Sequence, residues 1–321
     1  MRTTLVMTVL NEGESLPAVL DSLAAQTLPP DEIVVCDGGS GDGTVALLQA
    51  AAGRLPLRVL EAPGANIAQG RNRAIRAAAG DVIAVTDAGV RLEPDWLAQL
   101  LAPFAAPEVQ AVAGFFQSDP QTEFEIALGA ASLPEAREIN PQTYLPSSRS
   151  VAFRKPVWEA AGGYPEWLDY CEDVLFDLAV RRHCGPFVFQ PAARVHFRPR
   201  ASLAAFARQY YRYARGDGKA GLFPRQHAVR YFAYLVAAPL LIYAALTVSP
   251  WLWALGLLAG LAYVRLPLRR LWPRLPALSW AGRLRVLAYL PLIRLAGDLA
   301  KMLGYPAGVL WRLRRRAQEG A

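Results

Sequence analysis

An uncharged stretch of 34 residues, Tyr231–Val264, restricts the possible folds of this chain more than any other feature. One membrane span needs about 20 apolar residues, so the stretch is too long for one span and slightly short for two. A Ser-Pro pair interrupts it near the middle, beside Trp251 and Trp253, and such aromatic residues favour the membrane interface. The stretch therefore predicts a tight transmembrane hairpin at about 231–264.

Positive charge is concentrated around this hairpin. Residues 222–321 contain 14 Lys and Arg against 2 Asp and Glu, whereas residues 1–221 contain 20 against 25. Because basic residues flank the hairpin on both sides, both of its ends are predicted to be cytoplasmic. The same balance favours anionic membrane lipids as partners and argues against nucleic acid. The apolar but charge-bearing segment at about 284–312 is typical of an amphipathic helix lying in the membrane interface.

The remainder of the chain is expected to lie in the cytoplasm. Its first residues contain too short an apolar stretch for a secretory signal. Cys36, Cys171 and Cys184 are an odd number without metal-binding spacing, which is typical of reduced thiols. The predicted location is therefore the inner membrane of the cell, with the body of the chain on its cytoplasmic side.

Short apolar stretches alternate with helical patterns from residue 1 to about residue 90. Three of them, Thr4–Leu10, Glu32–Cys36 and Val82–Thr86, suit strands that are buried on both faces of a parallel sheet. The alternation of strand and helix predicts a doubly wound sheet flanked by helices. Ligands of such sheets bind beyond the carboxyl ends of the strands, which is where Asp37 and Asp87 fall.

The residues at these strand ends suit a bound diphosphate. Asp37 begins the sequence Asp-Gly-Gly-Ser-Gly-Asp-Gly-Thr, which leads into a helix whose N-terminus favours an anion. Its spacing matches neither a P-loop nor a dinucleotide-binding fingerprint. Asp37 and Asp87 together predict an acidic crevice for a divalent cation, and Arg71 is placed to pair with a phosphate. Taken separately, the same residues also fit a flexible turn, a helix cap and a solvated arginine.

Taken in order, these motifs resemble those of the family 2 glycosyltransferases of the GT-A fold. The resemblance covers about residues 1–220. It is carried by Thr8-Val9-Leu10-Asn11-Glu12, the loop that starts at Asp37, Gly70-Arg71-Asn72, Asp87-Ala88-Gly89 and Tyr170-Cys171-Glu172-Asp173. The resemblance implies an inverting transfer of a sugar from a nucleotide-diphosphate donor, with a divalent metal, Mg or Mn, as cofactor.

The resemblance also implies roles for the residues that bind the donor. Glu12 and Asp37 would hold the base and the ribose, and Arg71 and Asp87 would hold the diphosphate and its metal. The family's Asp-x-Asp motif is Asp87-Ala88-Gly89 here, so its second carboxylate is missing. His196 follows a predicted strand and is the further candidate ligand of the metal, because histidine is a common metal ligand.

Glu172 and Asp173 are the predicted catalytic pair. Inverting transfer needs a base that takes the proton of the acceptor hydroxyl, and the resemblance assigns this role to Asp173. Without the resemblance, two acids in the first turn of a helix would be expected to complement the helix dipole.

Gln209 and Arg212 are predicted to lie on the acceptor or diphosphate side of the site. They are three residues apart on one helical pattern and therefore share a face. Gln209-Tyr210-Tyr211-Arg212-Tyr213 is similar to the Gln-x-x-Arg-Trp element of membrane-bound family members, with Tyr in place of Trp. The alternative is an amphipathic helix beside the membrane.

The sequence thus predicts a GT-A domain at 1–221, an α/β fold with a Rossmann-like, mostly parallel sheet, followed by a helical membrane region at 222–321. The expected function is transfer of a sugar to a lipid-linked or nascent cell-surface glycan acceptor in polysaccharide biosynthesis. A polyprenyl-phosphate sugar synthase, whose acceptor is a lipid phosphate, is the alternative enzyme. A non-catalytic membrane module that binds sugar nucleotides is the alternative from another class, suggested by Gly89 but opposed by Arg71, Asp87 and Glu172-Asp173.

Overall fold

An eight-stranded mixed sheet is the centre of the first two thirds of the chain, in a computed structural model that describes residues 1–319. The strands are β1 (Thr3–Val9), β2 (Glu32–Asp37), β3 (Leu57–Glu61), β4 (Val82–Val85), β5 (Val90–Leu92), β6 (Ala111–Ser118), β7 (Val151–Arg154) and β8 (Val188–Phe197). The α-helices of the described residues are α1 (Leu16–Ala24), α2 (Thr44–Ala51), α3 (Ile67–Ala77), α4 (Trp96–Leu101), α5 (Glu123–Ser132), α6 (Lys155–Ala160), α7 (Glu172–Cys184), α8 (Leu203–Ala220), α9 (Pro224–Phe232), α10 (Ala238–Thr247), α11 (Trp253–Leu271) and α12 (Trp280–Glu319).

The sheet is mostly parallel, with the strand order β3-β2-β1-β4-β7-β6-β8-β5. β1 pairs in parallel with β2 and β4, β2 with β3, and β6 with β8. β7 pairs antiparallel with β4 and β6, and β5 pairs antiparallel with β8. Four of the seven pairings are therefore parallel, which confirms the predicted α/β class.

Both faces of the sheet are covered by helices. Successive side chains of a strand point to opposite faces, so Leu5 and Met7 of β1 pack into one core with α1 and α4. Val6, between them, packs into a second core with α3 and α7. This two-sided burial explains why the strands are continuously apolar rather than alternating.

The structure differs from the sequence-based expectation around β5 and β8. β5 and α4 were not predicted, since a strand of three residues and a helix of six carry little periodicity. β8 extends to Phe197 although Pro191 lies inside it, so His196, which was expected to follow a strand, lies within one. A proline normally ends a strand because it donates no hydrogen bond. Here β6 shifts register at Gly114, between Ala113 and Phe115, and pairing with β8 continues on the far side.

The chain divides into two compact units. The first comprises Met1–Asp119 and Glu135–Arg198, and the second comprises Pro120–Pro134 and the chain from Pro199 onward. α8 belongs to the second unit, so this division differs from the predicted ranges 1–221 and 222–321. Those ranges stay a prediction, because compactness alone does not define where an activity resides.

In the second unit, α8 and α12 pack with their backbones almost touching. A Cβ added at Gly304 would lie 2.2 Å from the carbonyl oxygen of Tyr211, and one added at Gly308 would lie 2.1 Å from that of Arg215. Such distances are shorter than any van der Waals contact, so only glycine fits at these two positions. We call this contact the glycine seam.

Two apolar helical segments of the second unit, Pro224–Thr247 and Pro250–Ala277, are long and apolar enough to cross a membrane, by length and composition. They meet at the predicted break, Ser249-Pro250. Only 6% of the most apolar window of each is buried, and large side chains such as Leu246 and Leu257 are exposed. Insertion of these segments as a hairpin, and placement of α12 in the membrane interface, stay predictions.

Candidate active site

Arg71 lies at the centre of a buried network of charges in the first unit. Its Nη1 donates a 2.6 Å hydrogen bond to Oε1 of Glu172, and its Nη2 donates a 3.0 Å hydrogen bond to Oδ1 of Asp87. Only 2% of the arginine side chain is exposed. Although burial opposes it, the carboxylates of Asp87 and Glu172 raise the pKa of Arg71 above its ordinary value, so the guanidinium remains charged. Three motifs that are far apart in sequence therefore meet at one side chain.

Asp87 faces a second arginine from the loop before β7. Nε of Arg149 lies 3.8 Å from Oδ2 of Asp87, and its guanidinium lies 4.5 Å from the centre of the Phe197 ring. The Asp87 side chain is 27% exposed, unlike that of Arg71. Asp87 is thus the part of the network that a ligand can reach.

The first turns of α7 carry three acidic side chains that are hard to ionise. Burial raises the pKa of Glu172 to about 7, with Asp173 adding to the effect and Arg71 opposing it. Burial likewise raises the pKa of Asp173, again against the effect of Arg71. Asp177, one turn further, has its pKa raised well above the ordinary value by burial and by Asp173. A carboxyl group with a raised pKa is a stronger base once it loses its proton.

Cys171 sets the direction in which α7 begins. Its backbone is left-handed, with φ of 65°, a conformation that costs a non-glycine residue energy. Glu172 follows directly and turns back to Arg71. The neighbouring Oδ1 of Asp173 accepts a hydrogen bond from the backbone N–H of Val174 at 2.9 Å. The predicted pair therefore stands at the helix start, as expected, but on a constrained turn.

Asp37 organises the glycine-rich loop that follows β2. Its Oδ2 accepts hydrogen bonds from the backbone N–H groups of Gly39 at 2.9 Å and Ser40 at 3.0 Å. The loop is also tied to the end of β1, because Asn11 N donates to Ser40 Oγ at 2.8 Å and Gly41 N donates to Asn11 Oδ1 at 2.9 Å. The loop is therefore held by specific polar contacts rather than being a flexible turn.

A cavity of about 200 Å³ opens at the ends of β1 and β2 and at the start of α3. It is lined by Thr8, Glu12, Cys36, Gly38, Asn66 and Gly70, among others. Gly70 gives α3 its close approach to β1, because a Cβ at this position would lie 2.9 Å from Cγ2 of Thr8. Glu12 accepts a short hydrogen bond from Ser15 Oγ. Mostly apolar walls with one carboxylate suit a flat heterocycle that needs a single polar anchor.

The structure does not gather a metal site from protein groups alone. Among the described residues there is no group of three or more His, Cys, Asp and Glu side chains that could hold a metal ion. Nε2 of His196 lies 2.9 Å from Oε1 of Glu93, so this predicted ligand has a carboxylate partner other than Asp87. Asp87 offers a single accessible carboxylate. These groups fit a cation only if a ligand supplies the remaining oxygens, as magnesium sites often require.

Gln209 and Arg212 lie on α8 in the second unit, whereas the other predicted site residues lie in the first. Nε2 of Gln209 donates to the hydroxyl of Tyr213 at 2.6 Å, and its Oε1 accepts from Nε of Arg200 at 3.3 Å. Their role in binding an acceptor or a diphosphate stays a prediction.

Sequence reasoning missed two residues of this region. Asp177 carries no motif, and the only signal is an acidic residue between Phe176 and Val180, which are both buried. Glu93 was missed together with β5, the strand that precedes it. The roles predicted for Glu12, Asp37, Asp173 and His196 stay predictions, since their contacts are with other residues of the chain.

The fold defines the class: an α/β protein with a mixed, mostly parallel sheet between helices. Residues 4–155 match the family model described as glycosyl transferase family 2. An O-antigen chain rhamnosyltransferase of Salmonella typhimurium is 27% identical over 187 residues, which are 54% of this chain and 59% of that relative. The chain thus contains a glycosyl transferase family 2 domain at residues 4–155, just under half of its length. It spans less than two thirds of this curated relative, and 30% of an uncharacterized glycosyltransferase of Bacillus subtilis that is 32% identical over 120 residues.

Solved structures of similar shape support the GT-A fold. A mannosyltransferase from Pyrobaculum calidifontis, in complex with GDP-Man and Mn²⁺, superposes with a TM-score of 0.64 at 21% identity, covering 94% of this chain and 87% of that one. S. aureus TarS 1–349 in complex with UDP-GlcNAc gives a TM-score of 0.53 at 17% identity, covering 99% and 92%. At these identities the likeness shows the fold.

Proposed function

We propose that this chain is an inverting glycosyltransferase. It moves a sugar from a nucleotide-diphosphate donor to a lipid-linked or nascent cell-surface glycan acceptor at the cytoplasmic face of the inner membrane. The observation that carries the proposal is the network in which buried Arg71 joins Asp87 at a strand end to Glu172, next to Asp173. In this proposal, Asp87 would serve the donor, and Asp173, the neighbour of Glu172 in the chain, would serve the acceptor.

The donor would occupy the cavity beside Glu12 and the strand ends. The apolar walls would take the base. Asp87 and Arg149, which are 3.8 Å apart and partly exposed, would face the diphosphate. The mannosyltransferase neighbour binds GDP-Man and TarS binds UDP-GlcNAc, which supports a nucleotide sugar as donor here. Arg149 contributes a positive charge where negative charge develops on the leaving group.

Asp173 would act as the base. Burial raises the pKa of Asp173 against the effect of nearby Arg71, and a raised pKa strengthens the carboxylate as a proton acceptor. In the proposed step, Asp173 takes the proton of the acceptor hydroxyl as that oxygen bonds to the anomeric carbon. The bond from this carbon to the diphosphate breaks on the opposite side, which inverts the configuration.

A divalent cation, Mg or Mn, would be held by Asp87 together with donor oxygens. When bound, it neutralises charge on the departing diphosphate. The Mn²⁺ in the mannosyltransferase neighbour supports a metal in this fold. This chain would supply one carboxylate, that of Asp87, and would keep it oriented through the hydrogen bond from Arg71.

The membrane assignment rests on the two apolar segments and on the basic balance of residues 222–321. The O-antigen rhamnosyltransferase relative supports an acceptor in cell-surface polysaccharide synthesis. A polyprenyl-phosphate sugar synthase would need the same donor site and a lipid phosphate as acceptor. A non-catalytic module would bind the donor without turnover.

A donor screen on the purified full chain in lipid nanodiscs tests the proposal. Nucleotide sugars are supplied with a lipid extract that contains acceptors, and nucleoside diphosphate release is measured alongside the anomeric configuration of the product. Release with one donor and an inverted product supports the proposal. Binding without release by the wild type, equal to that of Asp173→Asn, would indicate a non-catalytic module. A product in which the sugar is linked directly to a lipid phosphate would indicate the synthase.

A further inference from the structure

A second cavity, of about 130 Å³, lies wholly within the second unit. Elements α5, α8 and α12 form its walls. Its lining includes Ser132, Phe206, Tyr210, Arg294, Gly297 and Lys301. At about 30 Å³ per water molecule, the space is sufficient for a group the size of a phosphate. Gly297 keeps it open, since a Cβ there would lie 3.1 Å from the ring of Phe206.

The two cations that line this cavity have no ion-pair partner in the described part of the chain. Nε of Arg294 is buried without a hydrogen-bond partner, and its guanidinium lies 4.4 Å from the centre of the Tyr263 ring. Nζ of Lys301 lies 4.8 Å from the centre of the Tyr210 ring. Aromatic faces attract cations but do not neutralise them. Two positively charged side chains without an ion-pair partner among the described residues therefore line one small cavity.

The one acidic residue in the lining, Asp298, is already engaged elsewhere. Its Oδ1 accepts a hydrogen bond from Nε of Arg230 at 2.8 Å. Its Oδ2 accepts hydrogen bonds from the hydroxyls of Tyr263 at 2.6 Å and Tyr234 at 3.1 Å. Because these donors occupy both carboxylate oxygens, Asp298 leaves the charge of Arg294 and Lys301 largely unbalanced.

The electrostatics of Lys301 would change on binding of an anion. Burial lowers the pKa of its ammonium, and the nearby Arg230 lowers it further against the opposing effect of Asp298. A bound anion would reverse this effect, because an opposite charge within a few ångströms favours the charged form.

Apolar helical surfaces lie beside the cavity. Tyr234 and Tyr263, which reach Asp298, belong to the two apolar segments that are long enough to cross a membrane. α12, which carries Arg294 and Lys301, exposes a stripe of leucines on another side: Leu292, Leu295, Leu299 and Leu303. Residues at such spacing form one face of a helix. A charged cavity thus lies beside surfaces that suit acyl chains.

We propose that this cavity binds the phosphate group of an anionic membrane lipid, through Arg294 and Lys301. Guanidinium and ammonium groups are the usual partners of phosphate, and basic pockets between helices near a membrane bind lipid headgroups. The inference concerns binding and does not depend on the proposed transfer reaction.

Native mass spectrometry of the delipidated full chain in detergent tests this proposal. The chain is titrated with phosphatidic acid, with phosphatidylcholine and with inorganic phosphate. We expect one phosphatidic acid molecule to bind at least about tenfold more tightly than phosphatidylcholine, the effect of a single good charge-assisted contact. The double variant Arg294→Gln/Lys301→Gln should lose this preference. Arg208→Gln removes an exposed arginine from α8 and should keep it. An unchanged preference in the double variant overturns the proposal. Inorganic phosphate that competes at the lipid's own concentration overturns the assignment to a lipid.

Labelling of the unmodified chain avoids any dependence on a variant's folding. Lys301 is treated with an amine-reactive reagent at neutral pH, and its modification is read by peptide mass spectrometry. Phosphatidic acid should slow labelling of Lys301 several-fold more than phosphatidylcholine does. Equal labelling with the two lipids would contradict occupation of the cavity. Lys301→Arg keeps the charge and should retain binding, which separates charge from shape.

Discussion

Arg71 and Glu172 are separated by 101 positions in the chain, yet Nη1 of the arginine lies 2.6 Å from Oε1 of the glutamate and both side chains are almost fully buried. The contact links α3 to α7 beneath the strand end that carries Asp87. Removing one partner of a buried ion pair leaves an uncompensated charge, which costs more than the pair itself contributes. Stability therefore depends on Arg71, the side chain to which the proposed function also assigns donor binding.

Arg71→Gln is expected to destabilise the protein strongly. The substitution leaves Glu172 without its cation and Asp87 with only the more distant Arg149, for a loss of about 3–5 kcal/mol in the free energy of unfolding. Thermal unfolding of the full chain measures it. Arg76 pairs with Glu166 on the surface, where its side chain is 58% exposed, so Arg76→Gln should change stability by less than about 1 kcal/mol. Equal melting temperatures for Arg71→Gln and the wild type would mean that the network is not formed.

Asp173→Asn is expected to lower kcat by about 100-fold or more, the range of a lost general base. Nucleotide-diphosphate binding, measured by calorimetry, should stay near that of the wild type. Asp21→Asn, which removes a surface carboxylate of 67% exposure, is the matched control and should leave turnover unchanged. A variant that keeps about a tenth of the wild-type kcat would move the base to another residue.

The pH dependence of stability should show the raised pKa of Asp177 in the folded state. Its folded-state pKa is raised, so its contribution to stability is fully present below the unfolded pKa of about 3.9 and is lost as pH rises toward the folded value. Asp177→Asn does not titrate. Its melting temperature relative to that of the wild type should therefore increase as pH rises from about 4. A constant difference across the pH range would show that Asp177 titrates normally.

Metal binding should require the donor. Asp87 is a single protein carboxylate, so affinity for Mn²⁺ should be weak alone and strengthen when a nucleoside diphosphate adds oxygen ligands. Asp87→Ala should abolish the increase. His196→Ala should shift metal preference toward magnesium if His196 is a ligand, whereas His183→Ala, on the exposed end of α7, should not. Equal Mn²⁺ affinity with and without nucleotide, or full activity in a chelator, would contradict this arrangement.

The full chain should stay with membranes after washes at high salt and at alkaline pH. Salt screens the attraction of basic side chains to anionic lipids but does not extract an inserted apolar hairpin. The double variant Arg314→Gln/Arg316→Gln weakens only the electrostatic attraction to anionic lipids, so it should remain membrane-bound. Release of the wild type by salt alone would show that the hairpin is not inserted.

The sequence predicted the parts of this structure that are determined locally. β1, β2 and β4 were expected from their apolar stretches, and the break at Ser249-Pro250 from proline chemistry. The meeting of Arg71 with Glu172 was not predictable in geometry, because it depends on α3 and α7 lying against the same face of the sheet. The continuation of β8 beyond Pro191 was not predictable, because the register shift at Gly114 that accommodates the proline is a property of the strand pair.

Two candidate residues show the same limit. The motif at Asp37 suggested a ligand carboxylate, but its hydrogen bonds to the loop depend on the backbone conformation of the next three residues. Asp177 gave only a weak signal, its position between apolar residues, because the burial that raises its pKa comes from residues distant in sequence.

The glycine seam couples the positions of α8 and α12. Neither helix can rotate about its own axis without bringing a side chain into the space that Gly304 and Gly308 leave free. A displacement of one helix toward the other should therefore move both helices together. A larger residue at either glycine would force the two helix backbones apart. The distance between the helices would then have to increase along the whole contact.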